Sequence, residues 1–197
     1  MFKIFLFILS VYLGVTSFAE VLDKDLLGPI KGDVIIGDPN APNTIIAYSS
    51  LSCPLCAHFH KNLFPEIEKK YLKTKKAKFI FRYFAIKPVD LKAGALLVCV
   101  PDDKKHIFID VLFLTQKNWA IETTKPEEAL ESIGRLGGLD GNLISKCLRD
   151  KGIEDSLNNI RDNALNLLSI NSAPTFLING KKIVGVIDSK FIEKELT

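Results

Sequence analysis

Apolar positions change period along this chain, and the changes mark its elements. An unbroken apolar run occupies Ile4 to Val15. After a mixed stretch containing Gly28-Pro29 and Gly32, Val34-Ile35-Ile36 forms a short strand candidate within 33–37, and Asp38-Pro39-Asn40-Ala41-Pro42 supplies a turn. Thr44 to Ser50 (TIIAYSS) is rich in β-branched and aromatic residues between turn signals, which predicts a strand. Beyond it, Cys56, Phe59 or His60, Leu63, Ile67 and Tyr71 recur about every four positions, the period of an amphipathic helix. Pro65 lies inside that helix and predicts a kink or a split. Period two returns in Lys78 to Ala85, with Phe79, Phe81, Tyr83 and Ala85 inward and the residues between them outward.

From 88 to 170 the pattern is helical throughout. Leu91, Ala95, Val98 and Cys99 share one predicted face, and Ile107, Val111, Leu112 and Leu114 another. Further faces are Ala129, Leu130, Ile133 and Leu136, then Leu143, Ile144, Cys147 and Leu148, then Ile153, Leu157, Ile160, Ala164 and Leu168. Gly137-Gly138 and Asp140-Gly141 punctuate these runs, so roughly five helices are expected. Strand character then returns. Thr175-Phe176-Leu177-Ile178 runs into Asn179-Gly180, a strong hairpin signal, with Lys182 to Val186 as the return strand. Asp188 or Ser189 is placed to cap a last helix over 189–196. Without the helical block the order is β-β-α-β-β-β-α, an α/β chain with mixed strand directions. No internal repeat or low-complexity segment is present.

Composition narrows the class. The 197 residues are 47% apolar, enough for one sizeable core, and Lys+Arg 26 against Asp+Glu 23 leaves the chain near neutral. The lysines between Lys69 and Lys78 read as a solvated helix end, so no nucleic-acid partner is expected. Lys3, the short apolar run and Ser17-Phe18-Ala19 match a signal peptide cut after about Ala19, which implies an exported, soluble, periplasmic mature protein. An uncleaved anchor is the competing reading of that run. In an exported chain the four cysteines, Cys53, Cys56, Cys99 and Cys147, can form lasting disulfides; three pairings are possible, and the close spacing of Cys53 and Cys56 favours one.

Cys53-Pro54-Leu55-Cys56 lies where a strand gives way to a helix. A thiol at a helix N-terminus meets unpaired N–H groups and the positive end of the helix dipole, which favour its thiolate. Cys53 is therefore read as the attacking thiolate and Cys56, one turn on, as the resolving thiol. An inert structural disulfide is the plain alternative. His58 and His60 raise the question of zinc, but four ligands within eight residues do not suit a structural zinc site, and Ala57 after Cys56 breaks the haem-attachment pattern CxxCH. No metal and no cofactor is expected, and both histidines are read as helix-surface or core residues.

Strand-CPLC-helix, a helical block, and then Asn171-Ser172-Ala173-Pro174-Thr175 leading into the hairpin and final helix resemble the DsbA-like family of the thioredoxin superfamily. The resemblance covers essentially the whole chain beyond residue 19. It implies a thioredoxin fold with an inserted helical lobe: a signal peptide over 1–19, an N-terminal leader over 20–32, a core from 33–87 and 171–197, and the insertion over 88–170. It also implies a cis Ala173–Pro174 bond facing the cysteines, with Pro174 in the catalytic site. Ala173, Pro54 and Leu55 would then contact substrate. Two departures stand out. Strong oxidants of the family carry His where this chain has Leu55, which predicts a less oxidising pair. Many members have an acid beneath the motif on the preceding strand, and Thr44 to Ser52 contains none.

Cys99 and Cys147 each lie on an apolar helix face in the lobe and are expected to form a structural disulfide; free buried thiols or a second redox pair are the alternatives. The expected function is disulfide introduction into reduced exported proteins, with a DsbB-like membrane partner reoxidising the pair. The alternatives are an isomerase or reductase, or a redox-inert chaperone or binding module of the same fold.

Overall fold

A computed structural model describes residues 27–196. The expected signal peptide and most of the leader lie outside these residues. Five strands form one sheet in the order β1-β3-β2-β4-β5: β1 (Val34–Gly37), β2 (Asn43–Ser49), β3 (Ala77–Tyr83), β4 (Thr175–Ile178) and β5 (Lys181–Val184). β2 and β3 run parallel, joined by the crossover that carries the first helices; every other pairing is antiparallel. The crossover is α1 (Pro54–Asn62), a break at Leu63, α2 (Phe64–Ile67) and a π-helical turn over Glu68–Leu72. Pro65 sits in the first turn of α2, where its missing N–H costs no intrahelical bond.

Between β3 and β4 come α3 (Pro88–Cys99), α4 (Lys105–Leu114), α5 (Pro126–Leu136), α6 (Gly141–Arg149) and α7 (Lys151–Leu168); α8 (Ser189–Leu196) closes the described chain. Asn179 (φ 49°) and Gly180 (φ 88°) both take left-handed backbone in the β4–β5 turn, the geometry whose twist matches a two-residue hairpin. Asp188 caps α8 by accepting from the Phe191 N–H at 2.7 Å.

Side-chain alternation divides the sheet between two layers. Ile45, Ala47, Phe79, Phe81, Tyr83, Phe176 and Ile178 face α1, α2, α8 and the helical lobe in one continuous core. Ile46, Tyr48, Ile80 and Leu177 face the other way, against Ala164, Leu168 and Ile170 at the end of α7. Helix α7 thus belongs to both parts: Leu157 packs in the lobe and its last turns cover the sheet. The inserted block is therefore continuous with the core, and its final helix is a layer of the sheet itself.

Three readings of the pattern are corrected. Ile80 and Arg82 of β3 are buried, because α7 and the chain before β1 cover the face expected to meet solvent. Arg82 is satisfied there by Asp33 (Nε–Oδ1 2.9 Å, Nη2–Oδ2 2.7 Å), by the Gly28 carbonyl and by the Tyr48 hydroxyl. On α3 the predicted Ala95 is buried, together with Asp90, Ala93, Gly94, Leu96 and Leu97, whereas Val98 is 40% exposed. Helices α5, α6 and α7 surround α3, so it is apolar nearly all round and its periodicity does not select a face. On α4, Phe108, Ile109, Leu112 and Phe113 turn inward, while Ile107 and Leu114 are exposed, as is Leu136 at the end of α5. Gly94 allows α3 to lie on β3: a Cβ there would stand 2.6 Å from Tyr83 Cζ. Trp119 is fully buried and donates from Nε1 to the Leu112 carbonyl at 2.9 Å. Among the described residues no helix is long and apolar enough to cross a membrane.

Candidate functional site

The site forms where β2, the central strand, ends. Ser49, Ser50, Leu51 and Ser52 are all buried, and the chain turns so that the Cys53 N–H donates to the Ser50 carbonyl at 3.2 Å. Cys53 is the N-cap of α1 with extended backbone, and Pro54 occupies the first turn. No side chain caps this helix, so its first N–H groups remain open toward the Cys53 sulfur. Pro54 and Leu55 are exposed beside it, Leu55 by 50%.

The two thiols are unlinked and their environments push them apart. The Cys53 thiol is lowered to about 6, chiefly because the Cys56 thiol donates to it, with help from the backbone N–H groups of Cys56 and Leu55; burial and the charge of Asp90 oppose this. Cys56 is held well above the usual thiol range, first by burial and then by the neighbouring Cys53 sulfur. These opposite shifts make Cys53 the more readily ionised of the two thiols and keep Cys56 protonated.

The segment expected to face the cysteines does so. The Ala173–Pro174 bond is cis, and the Cys53 Sγ donates to the Ala173 carbonyl at 3.4 Å. The loop is anchored on both sides: the Thr175 hydroxyl donates to the Ser172 carbonyl at 2.8 Å, and the Gly185 N–H to the Pro174 carbonyl at 2.9 Å. Cys99 and Cys147 lie elsewhere. They are joined to each other, tying the end of α3 to α6 across a sequence separation of 48. The histidines also point away from the thiols: exposed His58 pairs with Asn62, and buried His60 lies 2.6 Å from Asp110 and stacks on Phe64. Among the described residues no group of three or more His, Cys, Asp or Glu is arranged to hold a metal.

Two further residues complete the site, and sequence reading passed over both. Asp90, the third residue of α3, is fully buried beneath the turn before Cys53 and accepts from Ser50, Ser52, Ile86 and Lys87. An acid is thus present under the motif, delivered by α3 rather than by β2. Its only local signal is an acid in the first turn of a helix, which ordinary capping explains. Gln116, buried just beyond α4, donates from Nε2 to the carbonyls of Leu51 (2.7 Å) and Cys53 (3.0 Å). No sequence signal marks it.

Comparisons with known proteins show the family and the fold. The thioredoxin family model described as "Thioredoxin" matches residues 30–196. The crystal structure of Wolbachia pipientis α-DsbA1 superposes with a TM-score of 0.81 at 32% identity, covering 87% of this chain and 92% of that one. Oxidised BdbD from Bacillus subtilis shares the fold, with a TM-score of 0.75 at 23% identity over 86% of this chain and 96% of its own. A provisionally named protein-disulfide oxidoreductase of Rickettsia bellii is 30% identical over 151 residues, 76% of this chain but only 58% of that protein. The chain thus spans little more than half the length of this curated relative.

Proposed function

The chain belongs to the thioredoxin family and, within it, to the DsbA-like thiol–disulfide oxidoreductases; on that premise we propose that it introduces disulfide bonds into exported proteins through Cys53 and Cys56. The observation that carries this reading is the Cys53 sulfur itself, set at an open helix N-terminus, against the Ala173 carbonyl of a cis-proline loop and beside a thiol of opposite tendency.

In the oxidised state a substrate thiolate attacks the Cys53 sulfur. The Cys53–Cys56 bond breaks and Cys56 leaves, taking up a proton. A second substrate thiolate attacks the substrate sulfur of the mixed disulfide and expels the Cys53 thiolate. Two electrons pass from substrate to protein, and a substrate disulfide forms. Cys53 is a good leaving group in this step because the helix N–H groups and the Cys56 thiol hold its anion. Pro54 and Leu55, exposed beside the sulfur, and Ala173, behind it, are the substrate contacts. Pro174 fixes the loop in place.

Several features support export. The first nineteen residues have the charge, apolar run and small residues of a cleavable signal, and the Cys99–Cys147 bond suits an oxidising compartment such as the periplasm. The reduced pair must pass its electrons on, and a DsbB-like membrane partner is the proposed acceptor. Leu55 weakens the pair as an oxidant, which keeps a reductase or isomerase role as the second reading. Equilibration of the chain from residue 20 with glutathione buffers, followed by alkylation and peptide masses, separates the two. A potential above about −180 mV, the protein disulfide isomerase range, supports the oxidase; one near −270 mV, the thioredoxin range, assigns the reductase role.

A further inference from the structure

We infer that Asp90 is a positioning residue for the redox pair: its carboxylate locks the turn that delivers Cys53, and its buried negative charge makes the pair a weaker oxidant than the helix terminus alone would. The inference rests on the thiol–disulfide reading proposed above.

The clamp is visible in its bonds. Asp90 Oδ1 accepts from the Ser52 N–H at 2.8 Å, and Oδ2 from the Ser52 hydroxyl at 2.9 Å. The Ser50 hydroxyl donates to both oxygens at 3.0 Å. Oδ2 also accepts from the N–H groups of Ile86 and Lys87, each at 3.0 Å. One fully buried side chain thereby ties the β2–α1 turn to the β3–α3 turn. Ser52 immediately precedes Cys53, so the bonds to Ser52 set where the Cys53 backbone enters α1. Loss of the clamp would loosen the nucleophile without touching it.

The charge has a definite sign of effect. The donors to Asp90 in this cluster are backbone N–H groups and serine hydroxyls, all neutral, so the carboxylate keeps its field inside a poorly screened interior. That field opposes a second anion at Cys53, and it adds to the burial that holds up the Tyr83 phenol. Cys56 is the other titratable group in contact with Cys53, and His58 lies exposed one turn along α1. A thiol–disulfide pair oxidises strongly when its reduced form is stabilised, here as the Cys53 thiolate. A fixed negative charge disfavours that thiolate and so holds the potential down.

The test compares Asp90→Asn and Asp90→Glu with the unaltered protein. Thiolate absorbance gives the Cys53 midpoint, and glutathione equilibration gives the potential. Asp90→Asn is expected to lower the midpoint and to favour the reduced pair about twofold to threefold, which at 30 mV per tenfold is about 9–14 mV for a two-electron couple. Asp90→Glu, which keeps the charge, is expected to stay close to the unaltered protein. A folded Asp90→Asn protein with unchanged midpoint and potential overturns the inference and leaves Asp90 a structural tie alone. A measurement on the unaltered protein covers the case in which the variant does not fold. The labelled Asp90 carboxyl resonance should move through the Cys53 midpoint in the reduced protein and stay flat over that range in the oxidised one. A resonance that ignores Cys53 also overturns the inference. Neither thiol titration nor the resonance needs turnover, so a protein that fails to oxidise substrates sinks the functional reading and leaves this one to be judged on its own.

Discussion

The buried amide of Gln116 donates to the carbonyl oxygen of Cys53 at 3.0 Å, so the helical lobe holds the Cys53 backbone from 63 residues away. The same nitrogen reaches the Leu51 carbonyl, which brackets the turn before α1. Gln116→Ala leaves the Leu51 carbonyl without this donor, while the Cys53 carbonyl keeps its helix bond from the Ala57 N–H. An unsatisfied buried group costs about 1–3 kcal/mol, so denaturant unfolding should show a loss in that range. The rate of exchange with a dithiol peptide should fall as well. Unchanged stability would mean that the Leu51 carbonyl finds another donor.

Cys53 and Cys56 are expected to fail differently. Cys53→Ser should abolish exchange with a reduced peptide altogether. Cys56→Ser keeps the nucleophile but removes its resolving partner, so a mixed disulfide at Cys53 should accumulate and be visible by mass. Adducts on the remaining thiol of Cys53→Ser instead would reverse the assignment of roles.

The lowered Cys53 thiol makes the reduced protein's stability depend on pH. Between about 6 and its ordinary value of 9.0, Cys53 is an anion when folded and protonated when unfolded. The unfolded state then binds more protons, so stability rises with pH across this window and is lost as pH falls toward about 6. Thermal midpoints of reduced and oxidised protein, compared at several pH values, should show the reduced form gaining on the oxidised one as pH increases. A flat difference would show that the Cys56 thiol and the helix N–H groups do not stabilise the thiolate.

Arg82 and Asp33 are each 2% exposed and share two hydrogen bonds across β3 and the chain before β1. Asp33→Ala removes this acid from the buried guanidinium, and breaking such a pair costs about 3–5 kcal/mol. Chemical denaturation should report that loss, while exchange at Cys53 under native conditions should remain close to normal, since the pair lies on the α7 face of the sheet.

The Cys99–Cys147 bond closes a loop across a separation of 48 residues. In the chain-entropy model such a loop is worth about 4 kcal/mol. The double replacement Cys99→Ala with Cys147→Ala should therefore lower the unfolding midpoint markedly, and measured exchange at Cys53 should persist. Loss of exchange in a folded double variant would make the lobe disulfide part of the chemistry.

What the sequence determined by itself lies within one turn or one hairpin. A cysteine followed by Pro54 at a strand end places a thiol at a helix N-terminus, because proline tolerates only the first turn. Asn179-Gly180 sets the last hairpin, because both positions need left-handed backbone. The amphipathic periods of α6 and α7 marked Ile144, Cys147, Leu157 and Leu168, all of which are buried. Tertiary structure decided the rest. Helix α3 is apolar nearly all round, so only its neighbours select which residues are covered. Arg82 reads as an outward position until α7 closes over β3. Asp90 and Gln116 meet the redox turn from 38 and 63 residues away. Their side chains resemble an ordinary capping acid and an ordinary polar residue, and only the packing of the lobe on the end of β2 turns them into supports for Cys53.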